Sequence, residues 1–194
     1  MLLRKQRGFT ITELLVAIIV LSLLITVLVS FFWSSFTSFF KLQETEITLA
    51  DKSRVMQRMT QVIRSGTTIT EATPTALTIH AYFSPQDEKL SQVRYAYDSA
   101  AKKLIVTRIP ASGEPPSYTY PPEDASTTVL LSAVQLQPPI FTYRDANGEH
   151  GPFTADTYKD IKGVMIELAS PATTRESATH LKTNIELRNR KTNL

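Results

Sequence analysis

The 194-residue chain contains no cysteine, which removes disulfides, thiolate-held zinc and a thiol nucleophile from consideration. An exported domain without disulfides holds itself together by packing and hydrogen bonds alone. Charge, proline and glycine are all absent over 27 consecutive residues, Leu14 to Phe40. Apart from Glu13 and the three basic residues Arg4, Lys5 and Arg7, every charged side chain lies beyond Phe40. Such a division excludes an ordinary globular chain and implies a membrane segment joined to a polar domain.

Basic excess is missing too, once position is considered. The formal net charge is +3, but Arg4, Lys5 and Arg7 all precede Gly8. Residues 9–194 therefore carry 18 basic against 18 acidic side chains. A balanced chain has no electrostatic footprint for nucleic acid. The small C-terminal cluster of Arg188, Arg190 and Lys191 reads as a solvated tail. The three histidines, His80, His150 and His180, show no metal-ligand spacing. No serine or carboxylate constellation supports catalysis, so neither an enzyme nor a cofactor is expected.

What is present begins with the span. Leu14 to Trp33 is a 20-residue stretch whose only polar members are Ser22, Thr26 and Ser30. As a helix it rises ~30 Å, enough to cross a hydrocarbon core. Basic residues before it keep the N-terminus cytoplasmic, and Phe31, Phe32, Trp33, Phe36, Phe39 and Phe40 form an outer aromatic belt. Ser22, Thr26, Ser30 and Ser34 recur every four residues. Their hydroxyls can bond back to the preceding turn, and small residues also allow close helix packing.

The pattern continues past the span. Leu42, Leu49, Met56 and Ile63 recur every seven residues, with Val55, Met59 and Val62 alongside. This spacing predicts an amphipathic continuation packed on the chain's own sheet. No proline or glycine occurs from Phe9 to Ser65, so one helix of roughly 85 Å is expected, stopping at Ser65-Gly66. Beyond it, strand patterning covers 77–83, 93–97, 104–109, 129–136, 140–144, 164–168 and 180–187. Five prolines and Gly113 mark 110–127 as an exposed loop. The expected fold class is α+β, a long N-terminal helix on an antiparallel sheet.

Asp145-Ala146-Asn147-Gly148 has two readings. Asn-Gly is a strong turn signal. The alternative is a calcium loop using Asp145 and Asn147, with Asp156 and Asp160 as extra ligands, although its glycine falls at the fourth position instead of the sixth.

Arg7-Gly-Phe-Thr-Ile-Thr-Glu-Leu-Leu-Val-Ala17 resembles the signal of type IV prepilins and pseudopilins. That resemblance implies cleavage after Gly8 by a prepilin peptidase and methyltransferase, with Phe9 becoming an N-methylated first residue. Glu13 is then the fifth mature residue, where the family places its characteristic glutamate. An acid at the edge of hydrocarbon needs a partner, and the Phe9 amine of a staggered neighbour would supply one. The implied partners are other pilins or pseudopilins through helix packing, the peptidase, the membrane and its assembly platform. The implied location is a single-pass cytoplasmic membrane protein with its C-terminal domain outside, then an extracellular filament. The resulting division is a leader at 1–8, a transmembrane helix at 9–40, its continuation at 41–65 and a β-rich domain at 66–194. Major pilins commonly break the helix partway through the span, and this chain does not.

Residues 55–65, 141–148 and 185–189 are similar to minor pilins of the W-type and pseudopilins of the J-type. That likeness implies a subunit near the filament tip, and Glu13 suits a place just below the outermost one. The competing readings are a filament-displayed adhesin or DNA-binding pilin, and an unprocessed single-pass membrane protein.

Overall fold

The computed structural model describes residues 10–114, 117–148, 150–172 and 178–187. Helix α1 runs unbroken over Ile11–Arg64, as the absence of proline and glycine allows. Its last turn tightens, with Ser65 N donating to Val62 O at 3.1 Å and Gly66 N to Ile63 O at 2.9 Å. The chain separates into two units that part between Gln43 and Glu44.

In the first unit, Ile11–Phe40 is long and apolar enough to cross a membrane, and none of it is buried against protein. Leu15, Val20, Phe31 and Trp33 all stand exposed. A core helix of a soluble protein would be mostly covered; this one leaves an apolar surface of the kind that lipid or other helices solvate.

The second unit holds the end of α1 and two antiparallel sheets. Strands β1 (Thr68–Ala72), β2 (Ala76–Ala81), β3 (Ser91–Asp98), β4 (Lys103–Pro110) and β5 (Ser126–Leu131) form one sheet in sequence order. Strands β6 (Phe141–Arg144), β7 (Gly163–Ser170) and β8 (Thr179–Glu186) form the other. Alternation decides which face is inside. On β3, Val93, Tyr95 and Tyr97 are buried while Arg94 and Asp98 are exposed. Met56, Met59, Val62 and Ile63 of α1 join them in one core with Leu77, Ile79, Val164, Ile166 and Ile185.

Two tyrosines tie the parts together. The Tyr143 hydroxyl on β6 lies 2.9 Å from the carbonyls of both Thr73 and Ala76. The Tyr97 hydroxyl donates to Val134 O at 3.1 Å and accepts from Leu136 N at 2.9 Å. Burial pushes the Tyr143 hydroxyl far above its ordinary range, so it stays protonated and able to donate. On the outer face, Arg94 grips Glu71 with two bonds of 2.8 and 3.1 Å. That guanidinium holds the Glu71 carboxyl below the usual range.

The structure corrects several expectations. Two sheets replace one, and β1 was not anticipated. Strand β2 ends at Ala81, leaving Tyr82 and Phe83 outside it. Strand β5 begins at Ser126 and ends at Leu131, because Ala133 turns out with φ 57°. The seven-residue stripe is buried only at its upper end: Leu42 and Leu49 are 60% and 38% exposed.

Gly66 shows how closely α1 meets β2. A Cβ there would collide with Ile79 Cδ1 and lie 2.9 Å from Ile63 O. Ile79 is fully buried and held between Ile69 and Val93, so it has nowhere to retreat. Gly66→Ala is therefore expected to cost about 1–3 kcal/mol, read as a lower Tm of the detergent-solubilised protein. A variant melting with the wild type would refute that close approach.

Candidate functional site

The chemistry legible in the sequence gathers at the start of α1. Gly8 and Phe9, the expected cleavage and methylation positions, lie outside the described residues. Thr10 and Glu13 are described and form a reciprocal cap. Thr10 N and Thr10 Oγ1 donate to Glu13 Oε2 at 3.0 and 2.9 Å, and Glu13 N donates back to Thr10 Oγ1 at 3.3 Å. Leu14 N donates to Thr10 O at 3.2 Å, closing the first helical turn. This is a capping box, in which threonine and the glutamate three residues later satisfy otherwise orphaned backbone donors.

The cap gives Glu13 an occupation that sequence reasoning missed. Its signal was available: Thr10-Ile-Thr-Glu13 before an apolar run is a capping-box pattern. Both Thr10 donors converge on Oε2, while Oε1 makes no bond among the described residues. The carboxylate is thereby steadied by one oxygen with the other exposed. A cation arriving from a neighbouring helix would find an acceptor already oriented.

Further along the helix, the hydroxyl stripe looks inward to its own backbone. Thr26 donates to Ser22 O and Ser30 to Thr26 O, each at 2.8 Å. Ser22 departs from the four-residue expectation and bonds Ile19 O at 2.8 Å. Hydroxyls satisfied in this way add no unpaired polar group to a membrane-facing surface. Small size, not hydrogen bonding, is what the stripe offers a neighbouring helix.

The second candidate, at Asp145, is built as a turn. Asp145 Oδ1 accepts from Asn147 N at 2.8 Å, Gly148 N donates to Asp145 O at 3.3 Å, and Gly148 takes φ 81°. That positive φ explains the glycine. The turn opens a long connection to β7 instead of a two-residue hairpin. Asp156 and Asp160 lie in the 3₁₀ turn Ala155–Asp160 of that connection. Among the described residues no group of three or more His, Cys, Asp and Glu side chains could hold a metal.

Residues 3–29 match the family described as the prokaryotic N-terminal methylation motif. No curated protein matches the chain. The match takes in Gly8, Phe9, Thr10, Glu13 and most of the span, and it supports a type IV pilin-like prepilin. Proteins of that kind are structural and non-enzymatic, processed by a prepilin peptidase and assembled with other pilins.

Proposed function

We propose that the chain is a minor pilin or pseudopilin, cleaved after Gly8, methylated on Phe9 and drawn from the membrane into a filament. The observation that carries this reading is an ordered one. Basic residues, Gly8-Phe9, a capped Glu13 and an uninterrupted apolar helix follow one another. The same helix then enters the core of a β-rich unit. Cleavage on the leader side keeps the apolar helix attached, so the product stays anchored until it is extracted laterally. Residues Arg4, Lys5 and Arg7 favour a cytoplasmic N-terminus with the β-rich unit outside. The likeness of residues 55–65, 141–148 and 185–189 to W-type and J-type subunits favours a low-abundance member near the tip, and Glu13 favours a place just below the outermost subunit. The system served is a type IV pilus, a competence pilus or a type II secretion pseudopilus.

Edman sequencing and mass spectrometry of the membrane-extracted protein test this. The expected product begins at N-methylated Phe9. Gly8→Leu is expected to accumulate at precursor size, because a side chain obstructs close approach of the peptidase to an extended backbone. Normal maturation of that variant would refute the cleavage assignment.

A further inference from the structure

A cleft of about 630 Å³ opens in the second unit between α1 and residues 82–85, which follow β2. Its helical wall carries Arg54, Gln57, Arg58 and Gln61. Those are positions i, i+3, i+4 and i+7 of one helix face, and all four residues are exposed. The facing wall is fixed at its root by Ser65, whose Oγ donates to Tyr82 O and accepts from Tyr82 N, each at 3.2 Å. Phe83 packs against the core from the same wall. Bonds and packing therefore hold the two walls in place before any ligand arrives.

The cations around this cleft are unequally answered. Arg58 and Arg108 both lie over the Phe83 ring, 5.0 and 5.1 Å from its centroid. Arg108 also donates to Asp87 Oδ2 at 2.9 Å, which neutralises it. Arg58 has no carboxylate partner among the described residues. Arg54 meets only Asp51 at 3.5 Å, with the two side chains 81% and 55% exposed, and water screens a pair that open. The carboxamides of Gln57 and Gln61 make no hydrogen bond among the described residues. Two guanidiniums and two amides thus line one wall with donors unspent.

We propose that this cleft receives an extended acidic segment of a different, neighbouring subunit, with alternate carboxylates on Arg54 and Arg58. Charge selects the occupant, because guanidiniums pair best with carboxylates. The same argument excludes the chain's own C-terminal segment from another copy, since Arg188, Arg190 and Lys191 have the wrong sign. Spacing selects the conformation. Arg54 and Arg58 are about 6 Å apart along the helix, and alternate residues of an extended chain are about 7 Å apart on one side. Between the two ion pairs, Gln57 and Gln61 offer both donors and acceptors to the backbone of such a segment. Exposed charge pairs give register and selectivity more than affinity. Subunits held side by side by their anchors need little affinity, a point that rests on the filament-subunit reading.

The test uses the full-length chain in its own cells, with photoreactive benzoylphenylalanine introduced at position 61 and both arginines kept. After irradiation, adducts are digested and sequenced by mass spectrometry. The expected adduct joins position 61 to a peptide of another subunit with an N-terminal methylation motif, bearing two acidic residues one apart. Arg54→Gln with Arg58→Gln should lower its yield several-fold, while Arg54→Lys with Arg58→Lys keeps part of it. Arg54→Gln alone should give an intermediate yield with an unchanged Tm, since its side chain is 81% exposed, so misfolding would not account for the loss. Absence of a protein adduct overturns the proposal. So does an adduct with a second copy, with lipid or nucleic acid, or with a peptide lacking acidic residues, and so does a yield indifferent to the glutamine substitutions. N-terminal sequencing of the same samples separates the two readings. Mature protein lacking the adduct sinks the acidic-segment site alone, and an uncleaved N-terminus sinks the filament reading.

Discussion

Replacing Glu13 with alanine is expected to yield a processed, membrane-inserted protein that no longer enters filaments efficiently. Insertion should not suffer, because removing an acid from the edge of an apolar span relieves a cost. Cleavage should continue, because the junction at Gly8-Phe9 is untouched. The loss falls on assembly, where a neighbour's amine would meet no counter-charge in a medium of low dielectric. The capping box complicates this substitution, since alanine also removes the acceptor of both Thr10 donors. Glu13→Gln separates the two effects. Glutamine still completes a capping box but carries no charge. If pairing drives recruitment, Glu13→Gln fails as alanine does; if capping is what matters, Glu13→Gln assembles normally. Immunoblots of sheared filaments against membranes give the comparison. Wild-type incorporation of both variants would end the charge-pairing account while leaving processing intact.

Legibility followed the physical scale of each signal. The membrane span was plain, because 27 residues without charge, proline or glycine have few other physical explanations. Helix α1 ended where Ser65-Gly66 said it should. β3 and β4 were nearly complete from alternation alone, since one face of each is buried and the other wet. β1 escaped notice because Thr68-Ile-Thr-Glu-Ala72 has one buried apolar residue, Ile69, and a broken register. Two sheets in place of one followed from long-range pairing. Ile140 and Phe141 reach the carbonyl of Pro74 from far along the chain, and no local pattern announces that. At the candidate site, Glu13 was prominent and its partner Thr10 was not, although the pattern joining them was in view.

Lys52 is the residue the sequence disguised most, and its replacement is expected to lower stability by several kcal/mol. It lies on the core-facing side of the helix between Leu49 and Met56, where the heptad reading had only apolar residues. Lysine is normally a surface side chain; here it is wholly buried. Its Nζ donates to Ser170 Oγ at 2.7 Å and to Thr179 Oγ1 at 2.5 Å. Ser170 and Thr179 are the closing pair of the β7–β8 ladder, so this one side chain fastens the helix to the end of that hairpin. Lys52→Ala removes the stem from a packed interior and strips a donor from two buried hydroxyls. Together these should cost about 2–4 kcal/mol. Lys52→Met refills most of the volume but loses the ammonium and its bonds, so it should fall between alanine and the wild type. Thermal melts of the three proteins in detergent, followed by circular dichroism, give the ranking. Equal melting of Lys52→Ala and wild type would mean that the contact seen between α1 and the hairpin does not hold the unit together. Equal melting of the two variants would place the whole effect in the lost hydrogen bonds and none in the packing of the stem.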